Sequence, residues 1–133
     1  VILIDDSVVR GTTSLKIVRM VREAGAKEVH LRSASPPIKF PDFYGIDMPE
    51  RDQLLAATHT HAEMVKKLEV DSLGFLSVEG LYWAMEAGVR DAAQPQFSDH
   101  YFTGDYPTRR LDRDIAEGRN ELAEKQLSLL VSA

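Results

Sequence analysis

The 133-residue chain contains no cysteine. That absence removes a thiol nucleophile, a CxxC redox pair, zinc–thiolate ligation and a thiolate-held iron–sulfur cluster from what the chain can supply. It also removes disulfides, which suits a cytoplasmic setting. No run of about eighteen apolar residues is available to cross a bilayer, and no charged leader precedes an apolar stretch. No membrane partner is expected. Basic excess is missing too: 16 Lys and Arg stand against 21 Asp and Glu, giving a formal net charge of −5, so no nucleic-acid partner is expected either. The phosphate-binding patterns GxxxxGK[ST] and GxGxxG do not occur. Nor is there an initiator Met. The chain opens on Val-Ile-Leu-Ile, already inside an apparent strand, so truncation on its N-terminal side is expected, with neighbouring strands lying upstream.

What the chain does have is 44% apolar residues, enough for the core of one domain. Residues 1–4 form a β-branched run of the kind found in parallel strands covered on both faces. Over residues 13–24, Ile17, Val18, Val21 and Ala24 recur at helical spacing, and Gly25 supplies a stop. Residues 27–35 alternate, with Val29, Leu31 and Ser33 on one face and His30 and Arg32 on the other, until Pro36 and Pro37 end the pairing. This is a βαβ unit. Residues 36–49 hold four prolines and three aromatics and read as an ordered loop packed on the domain. Helices follow over residues 50–57 and 60–68, the second with a capping box formed by Thr60 and Glu63. A strand over 72–76, a helix over 78–87 ending at Gly88, and a punctuated loop over 94–107 come next. A charged helical extension, weakened at Gly118, is expected over residues 110–133, which divides the chain into 1–109 and 110–133.

The chemistry is concentrated in "VILIDDSVVRGTTS". A loop between a parallel strand and its following helix lies at the carboxyl edge of the sheet, where α/β folds bind ligands. The first turn of such a helix presents unpaired N–H groups to an anion. Gly11 lets the backbone approach a phosphate, Thr12, Thr13 and Ser14 add hydroxyls, and Arg10 adds a positive charge. Asp5 and Asp6 would repel that phosphate; they suit hydroxyl donors or a hard divalent cation. Together the two halves describe a site for a phosphorylated ribose.

This stretch resembles the phosphoribosyl pyrophosphate (PRPP) motif of type I phosphoribosyltransferases, and its wording "DDSVVRGTTS" is similar to that of the amidophosphoribosyltransferases. "SASPPIKFPDFYGIDMP", "DSLGFLSVEGL" and "FTGDYPT" resemble segments found in that order in the C-terminal half of the same family. The resemblance implies an α/β fold of the type I phosphoribosyltransferase kind, with a parallel sheet and flanking helices. It implies glutamine-dependent transfer of ammonia to C1 of PRPP, displacing pyrophosphate to give phosphoribosylamine in the first step of purine synthesis. Asp5 and Asp6 would hold the ribose hydroxyls and Mg²⁺, and Val9, Arg10, Gly11, Thr12 and Thr13 would form the 5-phosphate loop. Purine nucleotides would act as feedback inhibitors of a homo-oligomer. No general base stands out, so no catalytic residue is assigned. The family's glutaminase uses an N-terminal cysteine, which must lie outside this chain, and the chain alone is expected to be inactive. Some members carry an iron–sulfur cluster whose cysteines flank the FTGDYP segment. Here that neighbourhood reads Ser98, Asp99, His100 and Tyr101, so no cluster is expected.

Two other classes share features with this pattern. A response-regulator receiver domain also opens on a strand ending in acids, and "IDMP" would put its phosphorylated residue at Asp47; the apolar strand expected before that residue is missing. A non-catalytic PRPP-binding regulator would need a DNA-binding appendage, which is not present. His59 and His61, two apart, do not share a helix face and read as exposed or capping rather than metal-binding. His30 and His100 read as structural, and Phe40, Phe43 and Tyr44 as loop anchors.

Overall fold

The computed structural model describes residues 1–108, so the extension expected over 110–133 lies outside the described residues. Three parallel strands, β1 (Ile2–Asp5), β2 (His30–Ser33) and β3 (Ser72–Phe75), form a sheet in the order β1-β2-β3. Their register sets Leu3 against Leu31 and Leu31 against Leu73, so three leucines form one row across the sheet. That row is the floor of the core.

Helix α1 (Thr12–Glu23) connects β1 to β2, and α3 (His61–Lys67) precedes β3. Val18 of α1 and Met64 of α3 are buried with Val29, Leu31, Leu68, Val70 and Leu73 in one cluster. Each such aliphatic side chain contributes about 1.5–3 kcal/mol when removed from water. The inward face of α1 matches the expected one in part: Ser14 and Val18 are buried, whereas Ile17 is 40% exposed. The difference follows from Ser14, whose hydroxyl is drawn to the end of β1.

The expectation that β1 is covered on both faces is not met. Ile2 and Ile4 are 67% and 78% exposed, because the described helices that join the core cluster lie over the Leu3 face. The helix expected over 50–57 is also broken. A 3₁₀ turn (Arg51–Gln53) and helix α2 (Leu55–Thr58) flank Leu54, which is extended at φ −75°, ψ 121°. Burial of Leu54 and the bond from Leu55 N–H to Val9 O outweigh the local helical pattern there. Helix α3 keeps its expected capping box, with Thr60 Oγ1 accepting from Glu63 N–H and Glu63 accepting from Thr60 N–H.

Helix α4 (Val78–Ala84) stops before Gly88, at a turn where Glu86 takes a positive φ of 55°. The loop over 94–107 contains one short helix, α5 (His100–Thr103). Tyr101 O accepts N–H bonds from Lys39 and Phe40, and Tyr106 donates its hydroxyl to Pro41 O. These bonds tie the two proline-punctuated loops to each other. The receiver reading fails on topology: that fold puts its first strand between two others, whereas here β2 is central among the described strands.

Candidate active site

Between β1 and α1 the chain must reverse while staying close to the sheet edge, and three contacts hold it. Val8 is buried in the core, Val9 O accepts from Leu55 N–H at 2.9 Å, and Gly11 packs against Leu55 and Leu68. Gly11 has φ +77°, a left-handed conformation that a side chain would strain. It caps α1 with no side-chain hydrogen bond. The N–H groups of the first turn, which have no intrahelical partner, therefore open outward with the positive end of the helix dipole behind them.

The result is a cavity of about 450 Å³ lined by Asp5, Asp6, Ser7, Val9, Arg10, Gly11, Thr12, Thr13, Ser14, Asp47 and Pro49. All seven residues singled out in the sequence line it. Asp5 sits at the strand end, where its Oδ1 accepts from Asp6 N–H at 3.0 Å and its Oδ2 from Ser14 Oγ at 3.4 Å. Asp6 is exposed and accepts from Ser7 Oγ at 3.2 Å. The Ser14 hydroxyl, a candidate phosphate donor by sequence, is thus engaged by Asp5 instead. The cavity is thus lined by carboxylates together with hydroxyls, the Arg10 side chain and the start of α1.

Hard oxygen donors with free lone pairs suit Mg²⁺, which takes one or two carboxylates and completes its shell with water and substrate phosphates. Among the described residues no cluster of three or more His, Cys, Asp or Glu could enclose a metal by itself. Asp5 and Asp6 are the donors of this loop that such a shell could use. His59 and His61 have separate partners. His59 contacts Thr58 Oγ1 and Lys67 Nζ, and His61 Nε2 lies 3.0 Å from Leu73 O.

Asp47 and Pro49 were not expected in this site. Only the loop's conformation brings them there, and the nearest sequence hint was the "IDMP" echo weighed for another fold. The loop is held by Asp42, whose side chain is 1% exposed. Its Oδ2 accepts from Tyr44 N–H (2.7 Å) and Ile46 N–H (2.9 Å), and its Oδ1 from Tyr101 Oη (2.9 Å) with His100 Nε2 at 3.0 Å. Burial pushes the Asp42 carboxyl up, but these four donors outweigh it and bring it down to about 2. His100, read from the sequence as structural, is 1% exposed and packs against Tyr44, Tyr101 and Tyr106 with centroids 5.3, 4.0 and 5.1 Å away.

A parallel βαβ unit whose first loop carries two acids followed by a capless, glycine-opened helix start is part of a type I phosphoribosyltransferase fold. The chain is homologous to one segment of the amidophosphoribosyltransferases. It is 60% identical to the amidophosphoribosyltransferase of Rhizobium etli over 124 residues, 92% of this chain and 25% of that protein. Against the Synechocystis enzyme it is 50% identical over 107 residues, 80% of this chain and 21% of the relative. The solved structure of glutamine PRPP amidotransferase from B. subtilis, complexed with ADP and GMP, superposes with a TM-score of 0.73 at 46% identity, covering 81% of this chain and 24% of that one. An allosteric regulatory enzyme of purine biosynthesis superposes with a TM-score of 0.67 at 43% identity, covering 81% and 23%. The chain thus spans about a quarter of the length of the relatives it matches. No family model matches it. Among the described residues no helix is long and apolar enough to cross a membrane.

Proposed function

We propose that this chain supplies the ribose-5-phosphate and Mg²⁺ half of the transferase site of an amidophosphoribosyltransferase. The single observation that carries the reading is the convergence of Asp5, Asp6 and the whole segment 9–13 on one cavity. The 5-phosphate rests against the first-turn amides of α1, with Arg10 neutralising charge and the Thr12 and Thr13 hydroxyls donating. Asp5 and Asp6 accept from the ribose hydroxyls and would hold the metal, which would offset charge on the departing pyrophosphate. Ammonia attacks C1, the new C–N bond forms as the C1–O bond to pyrophosphate breaks, and the anomeric carbon gains positive charge on the way. Two carboxylates fixed at the end of β1 stabilise that charge without having to reorient.

Ammonia is supplied by a glutaminase carried outside this chain, which has no cysteine. The parent protein is read as a cytoplasmic homo-oligomer inhibited by purine nucleotides, in keeping with the ADP and GMP bound to the B. subtilis relative. The deciding experiment is Mg²⁺-dependent PRPP binding by the full-length protein that carries this segment, repeated with Asp5→Asn and Asp6→Asn. Each substitution is expected to weaken binding on the order of tenfold or more, the loss of one charge-assisted partner. Unchanged affinity and turnover in both variants would sink the assignment.

A further inference from the structure

The loop over residues 42–49 has no regular structure before the 3₁₀ turn at Arg51, yet it forms one wall of the cavity through Asp47 and Pro49. Something other than a helix or strand must fix it. The Asp42 carboxylate takes the N–H groups of Tyr44 and Ile46, on either side of Gly45 at φ +105°, so the loop folds back over its own anchor. The other carboxylate oxygen is held from a segment 58 residues away, by His100 and Tyr101. Tyr106 adds a bond to Pro41 O, and its ring packs on Phe43.

We infer that Asp42 is a positioning residue for the transferase site: it fixes the 42–49 loop so that Asp47 and Pro49 close one side of the ribose-phosphate cavity. This inference rests on the functional reading given above and deepens it. The demand is for a carboxylate in particular. Both oxygens of Asp42 receive two contacts each, and the two on Oδ2 are backbone N–H donors, so an amide nitrogen cannot stand there. An Asn turned the other way would set its NH₂ against His100 Nε2. His100 would then have to carry its proton on Nδ1, which is buried and has no hydrogen-bond partner. Asn therefore either sets its NH₂ against two backbone N–H donors or turns the unpartnered Nδ1 lone pair that His100 already buries into an unpartnered N–H, and the carboxylate avoids both.

The test uses the full-length protein with ammonia as nucleophile, which bypasses the glutaminase, and compares Asp42→Asn, Tyr101→Phe, Pro49→Gly and the double variant Asp42→Asn/Pro49→Gly. Asp42→Asn is expected to raise KM for PRPP on the order of tenfold with a smaller change in kcat, because a preorganised wall is lost. Tyr101→Phe, which removes one donor and keeps the ring, should fold normally and raise KM by about threefold. Pro49→Gly loosens the same wall, so the double variant should be no worse than Asp42→Asn alone. Amide hydrogen exchange at Tyr44 and Ile46 reads the clamp independently of any substrate and should accelerate in Asp42→Asn. Unchanged exchange, an unchanged KM in folded variants, additive effects, or a lowered Tm with KM intact would each overturn the inference. Failure of Asp5→Asn and Asp6→Asn to affect PRPP, with exchange at Tyr44 and Ile46 still accelerated, would instead overturn the functional reading.

Discussion

Gly11 and Leu55 approach so closely that a β-carbon on the glycine would lie 2.9 Å from Leu55 Cδ2, and equally close to Leu68 Cδ2. The β1–α1 loop is therefore part of the core on its inner side and lines the cavity on its outer side.

Gly11→Ala meets two penalties at once, a positive φ of 77° and contact with two leucines that are themselves 2% and 1% exposed. The expected destabilisation is about 2–4 kcal/mol, the sum of backbone strain and overpacking. Urea unfolding checks it. PRPP affinity should fall in the same variant, because relieving the contact moves the loop away from Leu55. A variant that unfolds at the wild-type urea concentration would show that the loop can shift at no cost.

The open face of the sheet gives a second expectation. Ile2 and Ile4 stand on it beside His30 and Arg32 in the register Ile2↔His30 and Ile4↔Arg32. An apolar dye such as ANS should bind the 133-residue chain there, since contiguous exposed apolar surface of this kind recruits apolar partners. Ile4→Thr keeps strand propensity while removing apolar area, so dye fluorescence should drop and stability should change by less than about 0.5 kcal/mol. Undiminished fluorescence would place the dye elsewhere, with exposed Trp83, Met85 and Val89 as the next surface to examine.

How much of this was legible in sequence depended on chain distance. The strand, loop and helix of 1–23 could be read because the residues of the proposed phosphate seat are contiguous, and the Thr60–Glu63 capping box because its partners are three apart. The Asp42–His100 pair could not be read, since its members are 58 residues apart and each looked ordinary alone. The inward face of α1 was read in part: Val18 is buried and Val21 packs on the core as expected, whereas Ile17 is exposed and Ser14, bound to Asp5, is buried one turn before Val18. Burial of Leu54 broke a helix that local pattern favoured. In each case a tertiary partner outweighed a local preference of a few tenths of a kcal/mol.

The last prediction concerns Arg90, whose side chain is 15% exposed and joins Asp99, 2% exposed, to the more open Asp105. Arg90 Nη2 donates to Asp99 Oδ1 at 3.1 Å and to Asp105 Oδ2 at 2.6 Å, and Tyr82 Oη donates to Asp99 Oδ2 at 2.8 Å. Burial pushes the Asp99 carboxyl up, but Arg90 and Tyr82 more than offset it and hold it below the ordinary carboxylate range. Removing the guanidinium leaves Tyr82 and Thr103 as the remaining donors to a buried charge. Arg90→Met should therefore destabilise by about 3–5 kcal/mol at neutral pH. The sign of the pH dependence follows from the lowered pKa. Asp99's contribution is fully present above the unfolded value of about 3.9 and is lost as pH falls through its folded value. The gap between wild type and Arg90→Met should accordingly be widest at pH 6–7, a range set by those carboxylate values, and narrow below about pH 4. Thermal unfolding of both proteins across that range checks it; a gap that stayed constant with pH would mean that Arg90 acts through packing rather than through the charge on Asp99.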